Sequence, residues 1–95
     1  MTVYVDFYQP FKKIVQEKRV SFSFTKANTV TLKELLEEII VKYPACSEVI
    51  AAQDKDNVEK FFRNIAVLRD NNFLLLDCVL EDGDIIKIFP VISGG

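Results

Sequence analysis

Apolar and polar residues alternate in the first part of the chain, which predicts two β-strands. In residues 2–8 one face carries Val3, Val5 and Phe7, and the other carries Tyr4, Asp6 and Tyr8. In residues 19–25 the apolar face carries Val20, Phe22 and Phe24. Alternation with a period of two is typical of a strand with one buried face. We therefore predict an N-terminal hairpin whose strands are joined by a long connection through Lys18.

The next segment predicts a helix. Thr31 is a favourable N-cap residue, and Glu34, three residues later, completes a capping box. The apolar residues recur at the i, i+3, i+4 spacing of one buried stripe, which contains Leu32, Leu35, Leu36, Ile39, Ile40 and Tyr43. Pro44 marks the end of the helix. We interpret this stripe as part of the core.

The middle of the chain predicts shorter elements. Residues 45–63 contain apolar positions typical of one or two helical turns at the edge of the sheet, namely Val49, Ile50, Val58, Phe61 and Phe62. Residues 65–70 follow as a strand. Asn71-Asn72 is predicted to form a tight turn, because asparagine tolerates left-handed backbone conformations. A short return strand is expected at residues 73–76.

The last predicted strand is residues 84–89, preceded by a turn in which Gly83 supplies a positive φ. Pro90 has no N–H and is predicted to end the ladder. We expect this strand to return beside the first one. The order of elements indicates an α+β domain at residues 1–90, with a mixed sheet of roughly four or five strands on one main helix. A flexible tail is predicted at residues 91–95.

The composition is that of one folded domain. The chain has 95 residues, and 49% of them are apolar, which suffices for a single core. The formal net charge of −2 argues against a nucleic-acid-binding protein, which would carry clustered basic residues in excess. The sequence has no apolar run that would span a membrane and no pattern of a signal peptide. We therefore expect a cytoplasmic protein.

Few residues that support enzyme chemistry are available. The sequence contains no histidine, which excludes catalytic triads and the commonest metal ligand. Cys46 and Cys78 are too far apart for a Cys-x-x-Cys motif. We predict that Cys78 is buried and inert and that Cys46 is partly exposed at a helix end, with no catalytic role for either. Residues 54–57 lack the context of a calcium loop, so no metal site is predicted.

The most specific pattern lies at the end of the chain. Residues 81–95 read Glu-Asp-Gly-Asp-Ile-Ile-Lys-Ile-Phe-Pro-Val-Ile-Ser-Gly-Gly. The acidic turn, the apolar strand, Phe-Pro and the terminal Gly-Gly resemble the C-terminal signature of the ubiquitin-like sulfur carriers. Within this MoaD/ThiS superfamily, the sequence is most similar to the molybdopterin synthase small subunit (MoaD) and the archaeal small modifier proteins. The resemblance implies a β-grasp fold, although only one proline follows Phe89.

The resemblance also implies a chemistry. The carboxylate of Gly95 would be adenylated with ATP by an activating enzyme of the MoeB/ThiF type and then converted to a thiocarboxylate. Ser93 and Gly94 would belong to the tail that enters the partner, where glycine passes a narrow channel because it has no Cβ. The sulfur would go to a pterin precursor on the molybdopterin synthase large subunit, or to another acceptor. The chain would then be a carrier without a bound cofactor, not an enzyme.

A partner surface is predicted beside this tail. Alternation in the last strand places Ile86 and Ile88 in the core and Phe89 on the other side. Phe89, Val91 and Ile92 would form an exposed apolar patch, and such patches commonly mark interfaces. The alternative is that Phe89 packs on the short helical segment.

Three functions remain open at this point. The first is a sulfur carrier, for molybdopterin by preference and otherwise for thiamine or tRNA thiolation. The second is a protein modifier that forms isopeptide bonds through the same terminus. The third is a β-grasp interaction module whose glycine tail has no reaction.

Overall fold

The computed structural model describes residues 1–25, 29–46 and 58–91. The strands are β1 (Thr2–Phe7), β2 (Arg19–Ser23), β3 (Val30–Thr31), β4 (Ile65–Arg69), β5 (Asn72–Phe73), β6 (Val79–Leu80) and β7 (Ile85–Pro90). The helices are α1 (Phe11–Val15), α2 (Leu32–Lys42) and α3 (Val58–Arg63). Val49 and Ile50, which were expected in the second helical segment, lie outside the described residues.

One mixed sheet organises the fold. Its five strands have the order β2-β1-β7-β4-β5, and β3 and β6 form a separate two-stranded sheet. β1 is antiparallel to β2 and parallel to β7, with Val5 opposite Val20 on one side and Ile86 on the other. The predicted hairpin and the return of the last strand beside the first are therefore confirmed. So is the α+β class, because α2 buries its apolar stripe against this sheet.

Helix α2 follows its sequence signals closely. The hydroxyl of Thr31 accepts a hydrogen bond from the backbone N–H of Glu34 at 3.5 Å, as the N-cap prediction requires. The predicted stripe is buried from Leu32 to Ile40, and Tyr43 packs against it partly exposed. The helix ends at Lys42, just before Pro44. The interpretation of this stripe as core is confirmed.

The connection between β1 and β2 is more structured than predicted. It contains the single helical turn α1, whose Phe11 and Val15 are both buried. The ring of Phe11 meets Phe61 of α3 edge-on, with centroids 6.2 Å apart. A helix of one turn is too short to be recognised from periodicity, and its stability comes from these tertiary contacts.

The turn between β4 and β5 lies one residue earlier than predicted. Arg69 pairs with Asn72, so the two loop residues are Asp70 and Asn71. Both have positive φ, 52° and 66°, as a two-residue type I′ hairpin requires. Aspartate tolerates the left-handed region almost as well as asparagine, which is why the sequence alone misplaced the turn. Asn72 instead begins the return strand β5, which is shorter than expected.

Asp6 departs from the alternation pattern. It lies on the polar side of β1, as predicted, but it is buried rather than solvated. Its carboxylate accepts two hydrogen bonds from Arg19 on β2, from Nε at 2.6 Å and from an Nη at 2.9 Å. These bonds hold the pKa of Asp6 below its ordinary value of 3.8. The paired guanidinium allows a carboxylate to be buried on this face.

This ion pair predicts a pH-dependent contribution to stability. Because the pKa of Asp6 is lower in the folded state than in the unfolded state, its stabilising effect is present above pH 3.8 and is lost as the pH falls through the folded-state pKa. Urea unfolding of the wild type and of Asp6→Asn from about pH 7 to about pH 2 checks this. The stability difference between them should shrink on acidification. The exposed Asp77→Asn is the control, and a difference that does not vary with pH would contradict the assignment.

Within the described residues, no helix is long and apolar enough to cross a membrane.

Candidate functional site

The candidate site is the point where β7 leaves the sheet. Ile86 and Ile88 point into the core and are fully buried, as predicted. Phe89 is half-buried on the opposite face, and Val91 is 50% exposed. The predicted tail residues Ile92, Ser93, Gly94 and Gly95 lie outside the described residues. The structure therefore describes Pro90 and Val91, which we call the tail root, and the residues around them.

Pro90 was predicted to end the ladder, but the pairing of β7 with β4 continues through it. Pro90 lies opposite Ile65, and the N–H of Val91 donates to the carbonyl of Asn64 at 2.9 Å. Successive N–H groups of a strand point to opposite sides, so the position where Pro90 lacks an N–H faces the β1 side. There, pairing already stops at Phe7 opposite Ile88. The lack of an N–H at Pro90 therefore removes no hydrogen bond between strands.

Asn64 is itself held in place. It links α3 to β4, and its side-chain amide donates to the carbonyl of Lys60 at 2.8 Å. Its backbone N–H donates to the carbonyl of Phe61 at 3.1 Å. The acceptor that holds Val91 is therefore fixed to the end of a helix, and the tail root is fixed with it.

Phe89 has an aromatic neighbour that the sequence did not indicate. Its ring stacks on that of Tyr8, with centroids 4.3 Å apart and an interplanar angle of 17°. The ammonium group of Lys18 lies over the Tyr8 ring, 5.3 Å from its centroid. Two surroundings were predicted for Phe89, an exposed apolar patch and a contact with the short helical segment. Neither prediction included this stack.

The sheet face around this stack is partly apolar. We call it the outer face, meaning the face opposite α2. Tyr4 and Ile85 are adjacent partners in the register there, and Leu68 lies opposite Phe73 on the same face. Phe73 is 74% exposed, whereas Tyr4 and Ile85 are 37% and 40% exposed. The tail root thus emerges beside an exposed surface of apolar and aromatic groups.

The acidic turn before β7 anchors the other end of the strand. The N–H of Thr2 donates to Oδ1 of Asp82 at 2.8 Å, and that of Gly83 donates to the carbonyl of Thr2 at 2.8 Å. Gly83 has a φ of 87° with open space where a Cβ would stand, so the conformation rather than crowding requires glycine.

Asp84 adds a second anchor. One of its carboxylate oxygens accepts from the Arg69 guanidinium and from the N–H of Glu81, both at 2.8 Å. Arg69 also donates to the carbonyl of Val79 at 3.2 Å. From the sequence, these aspartates were expected only to form the turn. Their spacing around a positive-φ glycine could have indicated side chains that cap the turn.

The two cysteines exchange their predicted environments. Cys46 is fully buried, although it was expected to be partly exposed, and Cys78 is only half-buried, although it was expected in the core. Burial raises the pKa of the Cys46 thiol to about 11, so it is protonated at neutral pH. The Cys78 sulfur accepts from Arg69 at 3.5 Å. Cys46 lies just past α2, where its contacts with the core could not be inferred from periodicity.

We predict that neither cysteine takes part in the adenylation that the sequence resemblance implies for Gly95. A Cys46→Ala, Cys78→Ser double variant should be adenylated as fast as the wild type, because the reacting group is the carboxylate of Gly95 and the Cys46 thiol is buried and protonated. ATP–pyrophosphate exchange with an activating enzyme measures this, with circular dichroism to confirm folding. A folded double variant that is not adenylated would reveal a thiol relay.

Other candidate sites are few in the described part of the chain. It contains no group of three or more histidine, cysteine or acidic residues placed to hold a metal ion. A groove of about 340 Å³ lies between the end of β2 and α2, lined by Ser23, Phe24, Thr25, Glu34, Glu37 and Glu38. Nothing in its lining suggests a reaction, so the tail root remains the best-supported candidate.

A five-stranded mixed sheet crossed by one main helix, with the last strand between the first and the fourth, defines a ubiquitin-like β-grasp protein. The ThiS family matches residues 5–95 of this chain. The chain therefore belongs to the ThiS family. A comparison of the sequence with curated proteins finds no match.

Solved structures agree with this assignment of the fold. SAMP1 from Haloferax volcanii has a TM-score of 0.77 at 19% identity, with both chains covered completely. A Pyrococcus furiosus protein assigned as molybdopterin converting factor subunit 1 has a TM-score of 0.73 at 18% identity, with 97% of this chain and 99% of that one covered. The BexX/CysO complex of Amycolatopsis orientalis gives 0.63 at 20% identity, with 98% and 99% covered.

Proposed function

We propose that this protein is a sulfur carrier that works through the carboxylate of Gly95. The observation that carries the proposal is the course of β7, which is fixed at both ends and continues through the half-exposed Val91 toward the sequence Ile-Ser-Gly-Gly. The ThiS family match, which extends to residue 95, supports it. The reactive group is then part of the main chain, and the domain serves to present it.

The proposed chemistry has two steps. A carboxylate oxygen of Gly95 attacks the α-phosphorus of ATP on an activating enzyme of the MoeB/ThiF type, which forms an acyl-adenylate and releases pyrophosphate. Hydrosulfide supplied by the partner then attacks the activated carbonyl carbon and displaces AMP, which leaves a thiocarboxylate at Gly95 and releases one proton. An α-carboxyl has a pKa of about 3.5, so it is ionised at neutral pH. Glycine at positions 94 and 95 lets this end pass a narrow channel.

For the destination of the sulfur we propose molybdopterin synthesis, with the large subunit of molybdopterin synthase as partner. The fold likeness to a molybdopterin converting factor subunit 1 supports this choice. A relative by fold, CysO, is found in complex with BexX, and we propose that this chain also docks on a larger protein. The outer face beside the tail root, with Phe89, Val91 and Ile92, would contact that protein.

A second candidate is a protein modifier. The fold likeness to SAMP1 favours it, and the same adenylate would serve both functions. In this case the amine of a lysine on the target displaces AMP and forms an isopeptide bond. The two functions differ only in the nucleophile, which the partner supplies.

Trapping the state of the C-terminus distinguishes these functions. The tagged protein would be purified from its own cells and its intact mass and C-terminal peptide measured. A sulfur carrier shows replacement of one oxygen by sulfur at Gly95, whereas a modifier shows a branched peptide with Gly95 on a lysine. Finding only the free acid, with and without the activating enzyme overproduced, would contradict both.

The partner surface gives a further prediction. Phe89→Glu should weaken binding to the activating enzyme at least about 10-fold, because a charge would replace an apolar contact at the interface. The half-buried position allows the glutamate to reach solvent, so the domain should stay folded. Calorimetric binding together with thermal melting checks this, with Val41→Glu on the far side, at a residue 77% exposed, as control. Unchanged affinity in a folded Phe89→Glu variant would remove Phe89 from the interface.

A further inference from the structure

The root of the tail lacks backbone support on one side. On the β1 side, the last paired residue of β7 is Ile88, opposite Phe7. Beyond it, Pro90 has no N–H that could bond to that side. On the β4 side, the pairing continues through Pro90 to the hydrogen bond between Val91 and Asn64. One edge of the strand is therefore held by backbone hydrogen bonds up to the tail, and the other is not.

Tyr8 occupies the place where this support is missing. It directly follows the last residue of β1, and its ring lies on that of Phe89 at 4.3 Å with nearly parallel planes. Lys18 lies over the same ring and helps to hold it. In the register of the neighbouring strand, Phe89 faces Ala66, whose methyl group is too small to confine a phenyl ring. The stack on Tyr8 is the ring contact that the structure shows for Phe89.

We infer that Tyr8 is a positioning residue for the tail reaction, acting through Phe89 rather than by contact with the reacting groups. Tyr8 and Asn64 hold the strand from its two sides immediately before the tail and set the direction in which it leaves the sheet. From Val91 to Gly95 the chain can reach at most about 13–14 Å. A tilt of about 10° at its root would move the far end by about 2 Å. This inference rests on the proposed function of Gly95.

Removal of the ring tests the inference. In ATP–pyrophosphate exchange with a MoeB/ThiF-type activating enzyme from the same organism, Tyr8→Ala should lower kcat by about 10-fold to 100-fold, the range expected when reacting groups are displaced by about an ångström. KM for the carrier should change by less than about 3-fold. Tyr8→Phe, which keeps the stack, should restore kcat to within about 2-fold. Val41→Ala, at a residue of α2 that is 77% exposed and lies away from the outer face, is the control and should leave kcat unchanged.

A physical measurement accompanies the kinetics. In Tyr8→Ala the amide of Val91 should exchange its hydrogen faster than in the wild type, while the amide of Tyr4, which is bonded to Asp84 at 2.8 Å, should be unaffected. A raised KM with unchanged kcat would make Tyr8 a partner contact and overturn the inference, as would unchanged Val91 exchange. Failure of the proposed function looks different, because the wild type itself would then show no pyrophosphate exchange.

Discussion

Deleting Gly95, or adding one residue after it, is expected to abolish activation while leaving the melting curve almost unchanged. The reason is geometric. The attacking carboxylate must come within about 3–3.5 Å of the phosphorus, and one extended residue spans about 3.3–3.6 Å. Either change therefore displaces the reacting group by its whole working distance. The fixed hydrogen bond at Val91 makes this length critical, because the root of the tail cannot slide to compensate.

ATP–pyrophosphate exchange and the intact mass of the product measure this effect. Gly94→Ala is the matched variant of unchanged length. It should lower the rate of pyrophosphate exchange, because alanine at position 94 has a narrower range of accessible dihedral angles than glycine. Thermal melting of all variants should overlay that of the wild type, because the described core ends before the tail. Full exchange by the extended variant, with mass spectrometry showing that it has not been trimmed back to Gly95, would refute the carrier function.

The second large effect concerns stability. Leu36→Ala should lower the free energy of unfolding by about 2–5 kcal/mol, because it removes a fully buried side chain and leaves a cavity between α2 and the sheet. Val41→Ala on the same helix is the matched control. Val41 is 77% exposed, so its truncation should change stability by less than about 0.5 kcal/mol.

Urea unfolding of both variants and the wild type gives the comparison, with a similar slope expected in all three. A loss below about 0.5 kcal/mol for Leu36→Ala would show that the site collapses around the missing atoms or that the stripe is not the core contact. Adenylation of folded Leu36→Ala should remain, since Leu36 lies in the core and not at the tail root.

Much of the fold could be predicted because the local signals agreed with each other. In α2, the N-cap at Thr31, the apolar spacing and Pro44 all indicate the same helix, and a helix of this length buries enough area to follow its pattern. In β7, the buried pair Ile86 and Ile88 follows from alternation alone. The candidate terminus was likewise recognised from residues adjacent in sequence. Its role, its partner and the boundary at residue 90 remain predictions.

The errors share a physical cause. The alternation in β1 places Asp6 on the polar face, which was expected to face solvent. Its burial depends on Arg19, which lies on another strand, β2. Cys46 lies in a short segment without periodicity, and its burial depends on how the chain returns to the core after α2. The effect of Pro90 depends on which neighbour its missing donor would face. In each case the deciding partner is remote in sequence.

By itself, the sequence determined the types of the main elements and the buried faces of α2 and β7. It also contains the terminal Gly-Gly on which the carrier proposal rests. These follow from local rules of periodicity, capping and backbone conformation, which need only neighbouring residues. The tertiary structure alone decided the setting of β7 and Val91, which lead to that end. It brought Tyr8 onto Phe89 across β1 and β7, placed Asn64 against Val91, and joined Asp82 to Thr2. Such contacts arise only when the assembled sheet brings distant segments together, because their energy depends on distance and orientation in space rather than on separation along the chain.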